Sequence, residues 1–172
     1  MSTTLANNYY LKALDNYPYD LPDFLESISY ALSYDENHAD AHYLMGRYYM
    51  EQVFKYDQAQ YHYEMALVND INHIETYYYF IRLFILTNEL EKAEKLIEQA
   101  TKIKGIYIPA LSHRKAVIFE IRKNYKKALQ WINKAIEDAY FTDDREFYKR
   151  EKNRIKDKMP KKKKRKKKTK KN

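Results

Sequence analysis

The sequence predicts an all-α protein: a right-handed α-solenoid of about four helical hairpins, followed by a C-terminal capping helix and a disordered basic tail. Ala31, Ala66, Ala100 and Ala135 recur at spacings of 35, 34 and 35 residues. A period near ~34 residues is that of stacked helix–turn–helix units. Glycine and proline are scarce, 2 and 4 in 172 residues, which argues against a turn-dense β architecture. With 45% hydrophobic and 16% aromatic residues, the chain has ample material for a core.

The second helix of each hairpin is the clearest element. Ala59, Tyr63 and Ala66 lie at i, i+4 and i+7, as do Ala93, Ile97, Ala100 and Ala128, Ile132, Ala135. That spacing puts each set on one helix face, where small alanines admit a neighbouring helix and the larger residue fills the gap between them. Phe24, Ile28 and Ala31 repeat the pattern with Phe in the first place. A first helix precedes each set. Its marker is Gly46 followed by Tyr49, then Ile81 with Phe84 and Ala116 with Phe119. A glycine inside a helix is costly unless close packing needs the missing side chain. Counting back one period places Lys12 at the small-residue position of a weak first repeat. Polar links such as Thr87–Leu90 and Arg122–Tyr125 join the helices of a pair. One extra residue falls between Tyr49 and Ala59, and another within Lys104–Pro109, so packing should be irregular at both places.

The segment from Ala31 to Gly46, with Ala31-Leu32, Asp35-Glu36-Asn37, Ala41 and Leu44-Met45-Gly46, resembles the junction between repeats of the tetratricopeptide family. The resemblance covers roughly Leu5 to Tyr140, although the family's turn proline is missing, with Glu36, Ile71 and Gly105 near its place. It implies a repeat domain over 1–142. A capping helix is expected over 143–159, opened by an Asp143-x-x-Glu146 capping box and ended by Pro160. It would cover the last apolar face of the stack.

The family likeness also implies a concave groove lined by the first helices. Tyr9, Tyr10, Tyr43, Leu44, Arg47, Tyr78, Tyr79, Arg82, His113 and Arg114 would then face a protein or peptide partner. Tyrosine and arginine are enriched at binding hot spots, although the chain's 19 tyrosines also suit packing between helices. The family subtype that grips chaperone C-termini with Lys and Asn is not indicated, because Tyr9, Ala13, Leu44, Glu75 and Tyr79 stand at those positions.

The charge is split. Residues 1–148 hold 16 Lys+Arg against 22 Asp+Glu, a balance of −6, whereas 149–172 hold 16 against 2, a balance of +14. In the segment 160–172, expected to be disordered because like charges repel, Lys161, Lys162, Lys163, Lys164, Arg165, Lys166, Lys167, Lys168, Lys170 and Lys171 form a polybasic run. Such a run suits RNA, including ribosomal RNA, through phosphate contacts that carry no sequence preference. A nuclear import signal, an anionic membrane surface and a merely solubilising stretch are the other readings. The run also complements its own acidic body.

No enzyme is expected. With no Cys and 2 Gly, the chain lacks a thiol nucleophile and a phosphate-cradling loop. Of the five histidines, only His38 and His42 have helix-neighbour spacing; with Asp35 or Asp40 they make a poor metal set. Neither a cofactor nor a metal is predicted. The N-terminus lacks the basic start and apolar stretch of a signal peptide, so the expected setting is cytoplasmic, or nuclear in a eukaryote.

Overall fold

A computed structural model of the chain describes residues 2–160. In chain order the helices are α1 (Ser2–Asn16), α2 (Leu21–Tyr34), α3 (Ala39–Tyr48), α4 (Tyr56–Asn69), α5 (Ile74–Leu86), α6 (Leu90–Ala100), α7 (Ile108–Ile121), α8 (Tyr125–Asp138) and α9 (Thr142–Asp157). The polybasic run Lys161–Lys171 lies outside the described residues. No helix among the described residues is long and apolar enough to cross a membrane.

The helices pair as α1–α2, α3–α4, α5–α6 and α7–α8, and α9 packs on α8. Successive first helices also touch one another, α1 to α3, α3 to α5 and α5 to α7. They form the inner layer of an α-solenoid, and the second helices splay around it. The splay opens an outer cavity of about 450 Å³ walled by Leu67, Val68, Tyr77, Phe80, Leu96 and Ile103.

The alanine pattern is the core of the stack. Phe24, Ile28 and Ala31 on α2 are fully buried, as are Ala59, Tyr63 and Ala66 on α4, Ala93, Ile97 and Ala100 on α6, and Ala128, Ile132 and Ala135 on α8. Gly46 shows why the crossing must be small. A Cβ there would lie 2.5 Å from Cε1 and 2.6 Å from Cδ1 of Tyr63, inside the contact distance of two carbons. In the first hairpin the corresponding small residue is Ala13, fully buried near Phe24 and Ile28, while Lys12 is exposed. The hairpins differ in length, which is why counting back one period misplaced the position. Ala13 to Phe24 is 11 positions, Ile81 to Ala93 and Ala116 to Ala128 are 12, and Gly46 to Ala59 is 13.

Both expected irregularities have a local form. The extra residue after Tyr49 is absorbed by a π-helical turn, Tyr49–Val53, that prolongs α3 and closes at Phe54 with φ 56°. Asn88 (φ 60°) and Lys123 (φ 57°) take the same left-handed conformation at the turns of the next two hairpins. There the amides of Glu89 and Asn124 donate to the carbonyls of Phe84 and Phe119 at 2.8 Å, closing the helix ends. The second extra residue sits in the loop before α7, where Gly105 adopts φ 88° and Ile106 turns into the core.

Two first helices are opened by histidine. Nδ1 of His38 accepts from the Ala41 amide at 3.3 Å, and Nδ1 of His73 accepts from Thr76 at 3.2 Å. Nε2 of His38 reaches Oδ1 of Asn7 at 2.7 Å, and Nε2 of His73 reaches Oδ1 of Asp40 at 3.0 Å. Each ring therefore caps its own helix and ties it to the first helix of the preceding hairpin. Burial opposes charge on His73, but the hydrogen bond to Asp40 and the charges of Asp40, Glu75 and Asp70 together outweigh it and raise its pKa.

The last helix covers the stack with Tyr148 and Ile155, both buried against Ala128, Ile132 and Ala135. The expected capping box does not form. α9 begins one residue earlier than expected, with Phe141 at its N-cap and no side-chain cap bond, and Glu146 pairs with Lys149 instead. Asp143 and Asp144 sit in the first turn, where they favour the positive end of the helix dipole. The tie to α7 is a buried carboxylate. Glu120 accepts from Nη2 of Arg154 at 2.6 Å and from Nζ of Lys158 at 2.7 Å. Burial works against its charge, yet those bonds hold its pKa below the ordinary value.

Two outcomes test this packing. Gly46→Ala gains about 1 kcal/mol of helix propensity but overpacks Tyr63 at a cost of about 1–3 kcal/mol. The net is a loss of stability in urea melts, cancelled when Tyr63 is also trimmed to Leu. Arg154→Ala leaves the 8%-exposed Glu120 short of its main partner, a loss of about 2–3 kcal/mol. Glu120→Gln costs less, because the cations it frees are 40% and 52% exposed and remain hydrated.

Candidate functional site

The inner layer carries most of the residues that the sequence nominated, though not all of them reach its surface. Leu44 is fully buried beside Ala13, Phe24 and Ile28 and cannot touch a partner; its position serves the core because this face of α3 packs on the preceding hairpin, α1–α2. Tyr9 is turned toward the second layer. Its ring stacks on Tyr34 at 5.6 Å and leans on Tyr30 at 5.0 Å, both on α2. Tyr10 stays on the inner side, half-buried beside His38 at 5.2 Å; burial, and then Asp40 and Glu75, raise its phenol pKa. Tyr43 is buried between His73 at 5.0 Å and Tyr79 at 5.5 Å.

Arg47 is held by its own chain. Its guanidinium lies 4.8 Å from the ring centres of both Tyr17 and Tyr79, a cation–π sandwich, and 3.3 Å from Glu51. Glu51 is the hub of this part of the groove. It also receives Nη1 of Arg82 at 2.8 Å and the Tyr17 hydroxyl at 2.9 Å. The sequence reading passed over Glu51. Its spacing, four residues after Arg47 and 31 before Arg82, would have placed it among them on the inner face.

The other nominated residues converge at the C-terminal half. Tyr78, Tyr79, Arg82 and Arg114 line a cavity of about 240 Å³. Tyr78 and Arg114 also wall an adjoining cavity of about 400 Å³, together with Tyr107, His113, Asp144, Phe147 and Tyr148. The two spaces share Tyr78 and Arg114 and together make a depression across α5, α7 and α9. Tyr78 has a second duty: its hydroxyl accepts the Tyr107 amide at 2.8 Å, which caps the start of α7. The sequence nominated none of Tyr107, Asp144, Phe147 and Tyr148 for the groove; the last three lie on the helix expected only to cover the stack. The exposed pair Tyr140 and Phe141 continues the aromatic rim, with Tyr140 5.0 Å from Tyr107.

Several polar groups in this depression are unmatched. Arg114 is half-buried and, among the described residues, has no carboxylate within ion-pair distance, unlike Arg47, Arg82, Arg122 and Arg154. Burial, and then repulsion from Arg82, lower its pKa. The Tyr107 hydroxyl and Nε2 of His113 are buried without a hydrogen-bond partner among the described residues, with Oε2 of Glu151 3.7 Å from Nε2. His113 is pushed down to about 4, by burial and then by Arg114. Tyr148 is raised to about 12, chiefly by burial.

The histidines weighed as metal ligands serve the fold. His42 meets His62, not His38, with their Nδ1 atoms 3.0 Å apart. Nε2 of His42 donates to the Glu36 carbonyl at 2.9 Å, so its Nδ1 accepts from His62. That bond requires the His42 ring, as acceptor, to be neutral. Burial lowers the pKa of both, His62 to about 4. No group of three metal-ligating side chains occurs among the described residues.

The fold and the groove define a class: an α-solenoid of stacked helical hairpins with an aromatic and arginine-lined inner face. No family model matches the chain, and no curated protein sequence matches it. Solved structures do. A crystal structure of MamA is 20% identical, with 80% of this chain and 75% of that one covered at a TM-score of 0.63. MamA 41-end from Desulfovibrio magneticus RS-1 is 12% identical, with 91% and 94% covered at a TM-score of 0.65. Both are similar in fold, so the helical architecture expected from the sequence is shared with solved structures.

Acidification tests the buried histidines. His42, His62 and His113 have folded pKa values below the ordinary 6.5. The unfolded chain therefore binds more protons between pH 6.5 and about 4, and stability falls as pH falls through that window. His73, with a raised pKa, acts oppositely: its contribution is present below 6.5 and lost as pH rises through its folded value. Three against one, the melting temperature should drop by several degrees between pH 7.5 and 5, and His62→Gln should flatten the profile.

Proposed function

We propose that this chain is a non-catalytic interaction scaffold. Its inner groove holds a protein partner, and its polybasic segment 161–171 docks the module on an RNA-rich assembly, with the ribosome as first candidate. The observation that carries the first part is the convergence of Tyr78, Tyr79, Arg82 and Arg114 on one concave surface. These residue types dominate binding energy at protein interfaces, and a depression with an aromatic rim gives them the water-excluded setting that such anchors need. The titratable clusters elsewhere, His42 with His62 and Glu120 with Arg154, are satisfied within the fold. The likeness of fold to MamA supports a scaffold over an enzyme.

The second part is carried by charge. Ten cations between 161 and 171, against a body of −6 over 1–148, favour a polyanion by counterion release and leave sequence unread. The run has no aromatic residue to stack on bases, so it acts as an anchor. A nuclear import signal or an anionic-membrane anchor would use the same charges, and the experiment below separates the membrane anchor from RNA docking.

Pull-down of the tagged full chain with and without nuclease, at two salt concentrations, tests both parts. RNA should co-purify at low salt and be lost at high salt, with log K falling by ~0.7 per log unit of salt for each phosphate contacted. Deleting 161–172 should abolish RNA recovery and leave the helical circular dichroism unchanged. RNA retained after deletion sinks the anchor, and binding to anionic vesicles but not RNA moves it to a membrane. Tyr79→Ala with Arg82→Ala should lose the nuclease-resistant partner and keep RNA. An unchanged partner set would remove the groove from the reading.

A further inference from the structure

The inner groove is not electrically uniform. At its N-terminal half the cations are neutralised in place, because Glu51 serves both Arg47 and Arg82 at 3.3 and 2.8 Å. At the C-terminal half, Arg114 stands half-buried at the junction of the two cavities with no carboxylate of its own among the described residues. Glu51 is shared by two arginines and Asp144 lines the larger cavity, so Arg47, Arg82 and Arg114 face two carboxylates, a local excess of one positive charge inside a body that is acidic overall. A half-buried guanidinium without a counterion is destabilising. The 400 Å³ cavity beside it is lined by the aromatic side chains of Tyr107, Phe147 and Tyr148.

Resting on the reading of this groove as a partner site, we infer that it takes an extended segment of an acidic protein. An Asp or Glu side chain of that segment pairs with Arg114 in the cavity it shares with Arg82, and an adjacent large apolar side chain enters the Tyr107–Phe147–Tyr148 cavity. The planar fork of arginine suits a carboxylate held by two parallel hydrogen bonds. A nucleic acid strand also offers anions to arginine, but the surroundings disfavour it. Glu51 stands beyond one end of the depression and Asp144 lines the other, so a single isolated carboxylate is matched where a run of phosphates would meet both acids.

The test is selection from a random dodecapeptide display library on the full-length protein and on Arg114→Gln, which share the same polybasic segment. The wild type should enrich peptides carrying Asp or Glu beside Phe, Leu, Ile or Trp; the variant should lose the acidic preference. In fluorescence anisotropy, the strongest selected peptide should bind Arg114→Gln at least about tenfold more weakly. Replacing its acidic residue by the amide should weaken binding to wild type equally and to the variant no further. Acid-rich peptides selected equally by both proteins would assign the binding to the polybasic segment and overturn the inference. Selection of peptides without acidic residues would overturn it while leaving the partner groove standing; selection of none would overturn both. An oligouridylate bound about tenfold more tightly by wild type than by Arg114→Gln would overturn it in favour of a nucleic acid. Because Arg114 lacks an internal partner, Arg114→Gln should melt at or above the wild-type temperature, and a drop of several degrees would show that the arginine serves the fold instead.

Discussion

Close approach of paired helices is the constraint on which the rest of this structure depends. Each second helix presents at least one alanine with no exposed surface, and the first helix opposite answers with a small or well-fitted residue. Gly46 is the extreme case, since the ring of Tyr63 occupies the space a Cβ would need. Tight hairpins let the first helices touch from α1 through α7 and form a continuous inner layer. Had the crossings been bulky, the hairpins would stand apart and the inner side chains would not meet across repeats.

Once the inner layer exists, polar bonds between repeats set its register. His38 and His73 each cap a helix with one ring nitrogen and reach back one hairpin with the other. Tyr78 does the same at the next junction by capping the Tyr107 amide with its hydroxyl. At the final junction the link becomes ionic, through Glu120 and Arg154. Glu51 closes the N-terminal half of the groove by engaging Tyr17, Arg47 and Arg82. What stays unmatched, Arg114 with the Tyr107 hydroxyl and Nε2 of His113, is gathered at the other end, under α9.

Much of this was legible in the sequence. The i, i+4, i+7 sets were found because helical periodicity is a local property that needs no knowledge of the partner helix. The two extra residues were visible as breaks in the period, and they became the π-helical turn and the loop at Gly105. The site was only partly legible. Tyr78, Tyr79, Arg82, His113 and Arg114 fall on one surface, whereas Leu44 went into the core and Tyr9 onto α2. Residues one position apart on a helix point about 100° apart, so a shift of one residue in repeat length decides between groove and core. The same sensitivity exchanged Lys12 for Ala13.

By itself, then, the sequence determined the repeat, the helical class and the separation of an acidic body from a basic end, because each of these is written in spacing or composition along the chain. Tertiary structure alone decided which charges are spent and which are free. Glu51 neutralises an arginine 31 residues away, His42 pairs with His62 across a hairpin, and α9 folds back so that Tyr148 joins Tyr78 and Arg114 around one cavity. Pairing of charges depends on distance and burial in space, which separation along the chain does not report until the helices are stacked.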